Sequence, residues 1–367
     1  MKLGQLVKEK AVIVVCGAGG VGKTTTSAAM ALAAARQGRR ALVLTIDPAR
    51  RLAQALGIPP TGKEPVQIGR HILERHGIAL PQGGELHAWM LDPRVVLEGV
   101  VDRFAPRVED AKRIRETRLY GALSEVIVGL QEYTAAEALY HFREEGRYDV
   151  IILDTPPSRN ALDFLDAPRR LARFLDERTL SIFAPEDKKL NPVLRAASRI
   201  VFSAISKAFG EPFAHELQNF LGAFGKLFDK MRIHSGGVRK LLQSKSSAFV
   251  VVTSPEEAAL SEAIYFKGRI KELGLITEGF VLNRSYGSNQ KVEHPRVVDG
   301  VIGLDKLIPM ADLEAQRVKA DHELLGTLEK EGRRGGGNGA MALPYLDEAV
   351  EDLPALNVLS NYIVAAT

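Results

Sequence analysis

The residues Gly17-Ala18-Gly19-Gly20-Val21-Gly22-Lys23-Thr24 satisfy the spacing G-x-x-x-x-G-K-[ST], and the chemistry that spacing serves is phosphate binding. Glycines let successive backbone N–H groups turn toward one point, and a helix beginning there adds partial positive charge. Lys23 then brings a compact charge to the β- and γ-oxygens of a nucleoside triphosphate. The Thr24 hydroxyl is of the kind that ligates Mg²⁺ in such loops. Gly17, Gly19, Gly20, Val21, Gly22, Lys23, Thr24 and Thr25 are therefore the candidate nucleotide-binding residues. Two acids accompany them. Asp154 ends the run YDVIILD ahead of Thr155-Pro156-Pro157, and Asp47 ends ALVLTID ahead of Pro48. An acid at the end of a buried strand beside a phosphate loop helps hold the metal, directly or through water, so Thr24, Asp47 and Asp154 are the candidate Mg²⁺ ligands. Either acid could instead cap a following helix.

The elements that must position these residues are legible on either side of the loop. AVIVV at 11–15 is an apolar, β-branched run of the kind buried on both faces of a parallel sheet. TTTSAAMALAAARQG reads as an alanine-rich helix ended by Gly38. Further strands are expected at 41–47, 87–92, 148–154, 247–253, 279–283 and 305–309, with helical patterns between most of them. The fold class is α/β: a doubly wound, mostly parallel sheet with an inserted α-helical subdomain. Residues 1–93, 146–160 and 246–331 form the core of that sheet. Residues 94–145 are a helical segment, and 161–245 are an inserted helical subdomain. Residues 332–339, GRRGGGNG, read as a flexible linker, and 340–367 as a short amphipathic tail.

Composition removes several classes. With 46% apolar and 26% charged residues the chain can bury a core, and 33 Gly with 18 Pro in 367 residues leave no room for a collagen-like chain. One cysteine, Cys16, excludes an internal disulfide and any CxxC zinc site. It is either a small buried hydrophobe or a redox-sensitive thiol beside the loop. The eight histidines show no HExxH pattern, so no catalytic metal other than Mg²⁺ is expected. MKLGQLVKEK and the six-residue run after it do not make a signal peptide, and no stretch has the roughly 20 apolar residues a bilayer span requires. The expectation is a soluble, cytoplasmic protein. Trp89, in a strand pattern, is a core candidate.

Charge is unevenly placed. Residues 188–245 carry eleven Lys/Arg against three Asp/Glu, while the whole chain is only +4. This basic stretch is either a solvated helical face or a contact for an anionic partner. Within it phenylalanines recur at 202, 209, 213, 220, 224 and 228, a helical face that Gly210 and Pro212 should interrupt. The stripe is a packed core, or a groove for an apolar helix.

GAGGVGKTTTS, TIDPARRLAQALG and DTPPSRNALDFL together resemble the ArsA-like ATPases, which include the arsenite-pump ATPase and the ATPase that targets tail-anchored proteins, and which are similar to MinD and ParA proteins. The likeness covers roughly residues 10–330, with VVTSPEEAAL, VLNR and IPM as looser matches. It implies a P-loop NTPase that uses ATP and Mg²⁺ and works as a dimer. By that resemblance Lys23, Asp47 and Asp154 are the catalytic set: Asp47 orients the attacking water, and Asp154 reports on the γ-phosphate through Mg²⁺. Asn283 is similar to the family's adenine-reading asparagine. The resemblance also implies that the phenylalanine-rich insert can hold a hydrophobic client helix.

Departures from the family pattern shape the expectation. Ala18 stands where members usually carry a lysine that reaches the partner's phosphate. Arg50, Arg51 or Arg159 could supply that charge, or a related subunit carrying the lysine could pair with this one. The arsenite-binding cysteines and the zinc-binding CxxC are missing. The reading is a dimeric Mg·ATP-dependent ATPase, homodimer or heterodimer with a related ATPase subunit, that handles a client or partner protein and not arsenite. A nucleotide-gated scaffold with little hydrolysis and a MinD-like membrane-surface ATPase are the alternatives. A nucleic-acid partner is not expected, nor an integral membrane segment.

Overall fold

The structure is a computed structural model, and it describes residues 1–46, 51–59, 62–105, 107–117, 120, 130–156, 192–288, 304–334, 336–346 and 352–365. It forms two compact units. One comprises Met1–Met90, Phe142–Leu162 and Leu241–Thr367, the other Leu91–His141 and Asp163–Lys240.

The first unit is built on an eight-stranded sheet. Its strands are β1 (Val12–Gly17), β2 (Arg40–Thr45), β3 (Val66–Gln67), β4 (Glu85–Met90), β5 (Val150–Asp154), β6 (Ser247–Thr253), β7 (Thr277–Ser285) and β8 (Ala340–Pro344), in the order β3-β4-β2-β5-β1-β6-β7-β8. Every pairing is parallel except β3 with β4. This bears out the mostly parallel, doubly wound sheet. β1, β5 and β6 are buried along their whole length, which is why they read as unbroken apolar runs and not as alternating ones.

The helix Lys23–Arg36 lies against that sheet and is buried from Thr26 to Ala35. A helix buried all round needs cover on its outer side as well. The helices Leu3–Glu9 and Leu353–Ala365 supply it, and the Ala28–Ala35 stretch, interrupted only by Met30 and Leu32, lets them approach closely. Arg36, in its last turn, donates to the Asn357 side chain and to Ser360 Oγ at 3.3 Å, fixing the C-terminal helix in place.

Two expectations need correction. Residues 305–309 are not a strand but the first turns of the helix Leu304–Arg333. A short apolar run cannot be assigned by periodicity alone, and Pro309 lies in the second turn, where its missing N–H costs a single ladder bond. The next strand comes later. Ala340–Pro344 pairs with β7 as β8, with Phe280 opposite Ala340 and Leu282 opposite Ala342. The glycines before it are a tight corner, not a flexible linker: Gly336 and Gly339 have φ of +93° and +88°, and a Cβ on Gly332 would overlap the Gly339 backbone. Asn338 Nδ2 donates to Glu278 Oε2 at 2.7 Å, and Lys10 Nζ lies 2.5 Å from Glu278 Oε1, so the corner is tied to β7 and to the N-terminal segment. Trp89 is core, 5% exposed, with its indole N–H on Gly62 O at 3.0 Å.

The second unit is helical where it is described. Pro93–Phe104 starts at Asp92, whose carboxylate accepts from Arg94 N at 2.9 Å, and Pro93 occupies the first turn. Arg103 Nη1 donates to the fully buried carboxylate of Glu137 at 2.7 Å, joining this helix to Leu130–Glu145. Pro192–Phe209 and Glu211–Gln243 are separate helices, divided at Gly210 with φ +91°. The phenylalanine stripe divides with them. Phe220 is 2% exposed and Phe209 is 70% exposed; the side chains of Phe224 and Phe228 lie outside the described residues. No helix among the described residues is long and apolar enough to cross a membrane.

One buried histidine makes the first unit sensitive to acid. His87 on β4 is 4% exposed, with its ring edge-on to Tyr148 at 5.1 Å and Nε2 2.9 Å from Glu85 Oε2. Burial lowers its pKa below 6.5, and Glu85 only partly offsets this. The unfolded chain therefore binds the proton first as pH falls, and stability drops from about pH 6.5 downward. Urea midpoints measured across pH 5–7.5 will show that slope in the wild type and a flatter one in His87→Phe.

Candidate functional site

The site grows from the C-terminal ends of three adjacent strands. β1 lies between β5 and β6, with Val15 opposite Asp154 on one side and Gly17 opposite Val252 on the other. β5 also pairs with β2, Thr45 opposite Asp154. β1 is continued by the loop 18–22, and the sheet order places it where connections diverge to both sides, the position at which open α/β sheets bind ligands.

Glycine is obligatory in this loop. Gly17 has φ +150°, and any Cβ there would run into the Val252 carbonyl. Gly20 and Gly22 have φ of +79° and +90°, which L side chains adopt only with strain. Gly22 is the N-cap of the helix Lys23–Arg36 in a left-handed conformation, and no side chain caps that helix. Its first-turn N–H groups are thus presented to the loop, together with the positive end of the helix dipole. Gly19 and Gly20 are exposed, Thr24 and Thr25 are half-buried on the first turn, and Ala18 is 8% exposed. Lys23 is 6% exposed, and its Nζ donates to Ala18 O at 2.7 Å. The loop backbone therefore holds the ammonium inside its own curve.

Asp154 joins the pieces. It is fully buried, and its Oδ2 accepts from Thr24 Oγ1 at 2.7 Å and from Thr45 Oγ1 at 2.8 Å. The structure thus brings Asp154 to Thr24, the neighbour of Lys23, from 130 residues further along the chain. Thr45 is a residue that sequence reasoning missed. Its signal is its place at the end of the apolar run ALVLT, two positions before Asp47 in the sequence. Thr155 was also missed; its hydroxyl donates to Val15 O at 2.8 Å and pins the start of the loop after β5 to β1. Asp47, Arg50 and Arg159 lie outside the described residues, and Arg51 opens the helix Arg51–Leu56 on its exposed side. Asn283, 6% exposed at the end of β7, donates its amide Nδ2 to Val21 O at 2.9 Å.

The residues fit a magnesium nucleotide. The hydroxyl of Thr24 and the carboxylate of Asp154 are hard oxygen donors, 2.7 Å apart. Mg²⁺ favours such donors, held through one or two protein ligands with phosphate and water supplying the rest. The left-handed glycines and the uncapped helix start form the matching anion cradle.

Cys16, in β1 beside the loop, is fully buried, and burial pushes its thiol pKa up to about 12. That makes it an unreactive core residue. At pH 8 the folded protein will leave Cys16 unmodified by iodoacetamide, and denaturant will expose it, as intact mass reads directly. Thr45→Val keeps the shape of the side chain but removes one of the two hydroxyl donors to Asp154 Oδ2. It will lower stability by about 1–3 kcal/mol, the cost of a lost bond to a buried charged group, measured as a fall in the urea midpoint.

Comparison with known proteins agrees with this geometry. The family model for anion-transporting ATPases matches residues 10–298. Among curated relatives, a putative arsenical pump-driving ATPase 1 of Aquifex aeolicus is 23% identical over 259 residues, 69% of this chain and 57% of that protein. The ATPase GET3 of Malassezia globosa is 22% identical over 365 residues, 95% of this chain and 89% of that one. A putative arsenical pump-driving ATPase of Halobacterium salinarum is 30% identical over 176 residues, 48% of this chain and 26% of its own length. The match thus spans little more than half of the Aquifex protein and about a quarter of the Halobacterium one. A family match from residue 10 to 298 takes in the glycine loop, Asp154 and Asn283 together, and on it the chain belongs to the anion-transporting ATPase (ArsA ATPase) family.

Proposed function

We propose that the chain is a Mg·ATP-dependent ATPase whose hydrolysis drives a conformational switch between dimeric states that handle a client or partner protein. The observation that carries this reading is the contact of the buried Asp154 Oδ2 with the half-buried Thr24 Oγ1 at 2.7 Å, beside the loop that holds Lys23. Phosphoryl transfer needs positioning and charge neutralisation more than covalent chemistry. Mg²⁺, when bound, would neutralise charge on the phosphate oxygens. Thr24 and Asp154 would hold it, Lys23 would swing from Ala18 O to the β- and γ-oxygens, and the first-turn N–H groups would orient the phosphates. Asp47 would position the attacking water.

The relatives named as an arsenical pump-driving ATPase and as the ATPase GET3 support an ATPase of this family, and the dimer is carried by the family resemblance of the glycine loop and its acids. Arsenite is not the proposed cargo, since Cys16 is the chain's one cysteine and is buried in β1. A client helix remains the proposed occupant of the helical insert, and the cytoplasm the proposed compartment. A second reading is favoured by Ala18, whose methyl supplies no charge to a partner's phosphate: a nucleotide-gated scaffold or regulatory subunit with little hydrolysis of its own, paired with a related ATPase subunit.

Steady-state hydrolysis by the purified chain, with its mass in solution measured with and without ATP, separates these. The ATPase reading expects turnover that rises with protein concentration and falls by at least about 10²-fold in Lys23→Ala and in Asp47→Asn, the scale on which such electrostatic groups act. ATP binding without turnover supports the scaffold.

A further inference from the structure

We infer that Asn283 is a positioning residue for the phosphate loop, holding the Val21–Gly22 peptide in the one orientation that serves a triphosphate; the inference rests on the nucleotide reading above. The geometry is specific. Asn283 is 6% exposed, and its Nδ2 donates to Val21 O at 2.9 Å in a buried contact between residues 262 apart in the chain. A carbonyl oxygen only accepts, so the amide nitrogen must be the group that faces it.

Because a trans peptide is planar, its C=O and N–H point in opposite directions. Fixing Val21 O on Asn283 turns the Gly22 N–H away from β7, toward the concave side of the loop. Without that anchor little would decide the matter. The peptide turns about ψ of Val21 and φ of Gly22, and Gly22, with φ of +90°, passes between left- and right-handed conformations at small cost. A flipped peptide would direct a carbonyl oxygen at the phosphates in place of a donor.

The surroundings are shaped for this contact. A Cβ on Gly22 would overlap Asn283 Nδ2, so the absence of a side chain at 22 makes room for the amide and not only for a positive φ. Asn283 itself sits where β7 loses register with β8, between Leu282 and Ser285, and the next residue, Arg284, has φ +58°. Arg284 is the one non-glycine residue with positive φ among those described. Such irregularities re-aim side chains beside functional sites. Here the strand end is bent at the residue that reaches the loop.

The test compares ligands that share phosphates but not bases. Affinities of the full chain for Mg·ATP, Mg·GTP and inorganic tripolyphosphate would be measured for wild type, Asn283→Ala and Asn283→Asp, with far-ultraviolet circular dichroism and melting on the same samples. Asn283→Asp has the same size but cannot donate from a carboxylate, which keeps the test open if alanine unsettles the fold. All three ligands should weaken by a common factor of about tenfold, ~1.4 kcal/mol, with the ATP-to-GTP ratio unchanged. A loss confined to ATP, with tripolyphosphate binding intact, would overturn positioning and make Asn283 a reader of the adenine edge. Unchanged affinity for all three ligands would overturn both roles. A wild-type chain that binds none of the three would instead bring down the nucleotide reading itself.

Discussion

Between Gly17 and Lys23 the backbone must leave a strand buried on both faces and enter a helix buried all round, and it must turn its N–H groups to one side while doing so. Side chains cannot accomplish this. Gly17 has no room for a Cβ against Val252, and Gly20 and Gly22 take conformations that a Cβ would strain. The constraint propagates outward. A helix that starts at so exact a place has to be held there, and its alanines allow the sheet, the helix Leu3–Glu9 and the helix Leu353–Ala365 to close on it from all sides. The burial that keeps the loop in shape is the same burial that makes the core.

Asp154 is the second fixed point. A fully buried carboxylate is costly unless it is hydrogen-bonded, and Thr24 and Thr45 both donate to one of its oxygens. Those donors come from the helix after the loop and from the end of β2, so one carboxylate registers three elements against each other. Thr45 is the last residue of β2, so its hydroxyl ties the end of that strand to the carboxylate. Movement at the end of β2 would be felt at the oxygen that Thr24 shares.

Much of this was legible because the physics is local. A glycine spacing after a β-branched run specifies a loop whatever the rest of the chain does, and six buried strands announce themselves by apolar runs that no amphipathic helix would show. The parts that were not legible depend on partners distant in sequence. LDKLIPM could be strand or helix by pattern alone, and the free edge beside β7 went to Ala340–Pro344 instead. The glycine-rich stretch before that strand had the composition of a linker, yet backbone meets backbone at Gly332 and Gly337, and Gly339 takes a φ of +88°. Thr45 carried no motif; only the parallel register opposite Asp154 gives it meaning. Asn283 was singled out through a family resemblance that assigns it to the base, while its amide is engaged with Val21, a contact no spacing rule could foresee.

The position of β8 bears on how the molecule comes into being. Residues 340–365 provide both the outermost strand beside β7 and a helix that covers the helix Lys23–Arg36. On the ribosome, at about 5–20 residues per second, the glycine loop emerges well before residues 340–365 and waits for its cover until they have been made. During that interval the open flank of β7 is a strand edge able to pair with another chain, and the alanine face of the loop's helix is bare. Assembly of the phosphate cradle is thereby coupled to the synthesis of residues 340–365, so a chain cut short before residue 340 would emerge with its central motif intact in sequence and unsupported in space.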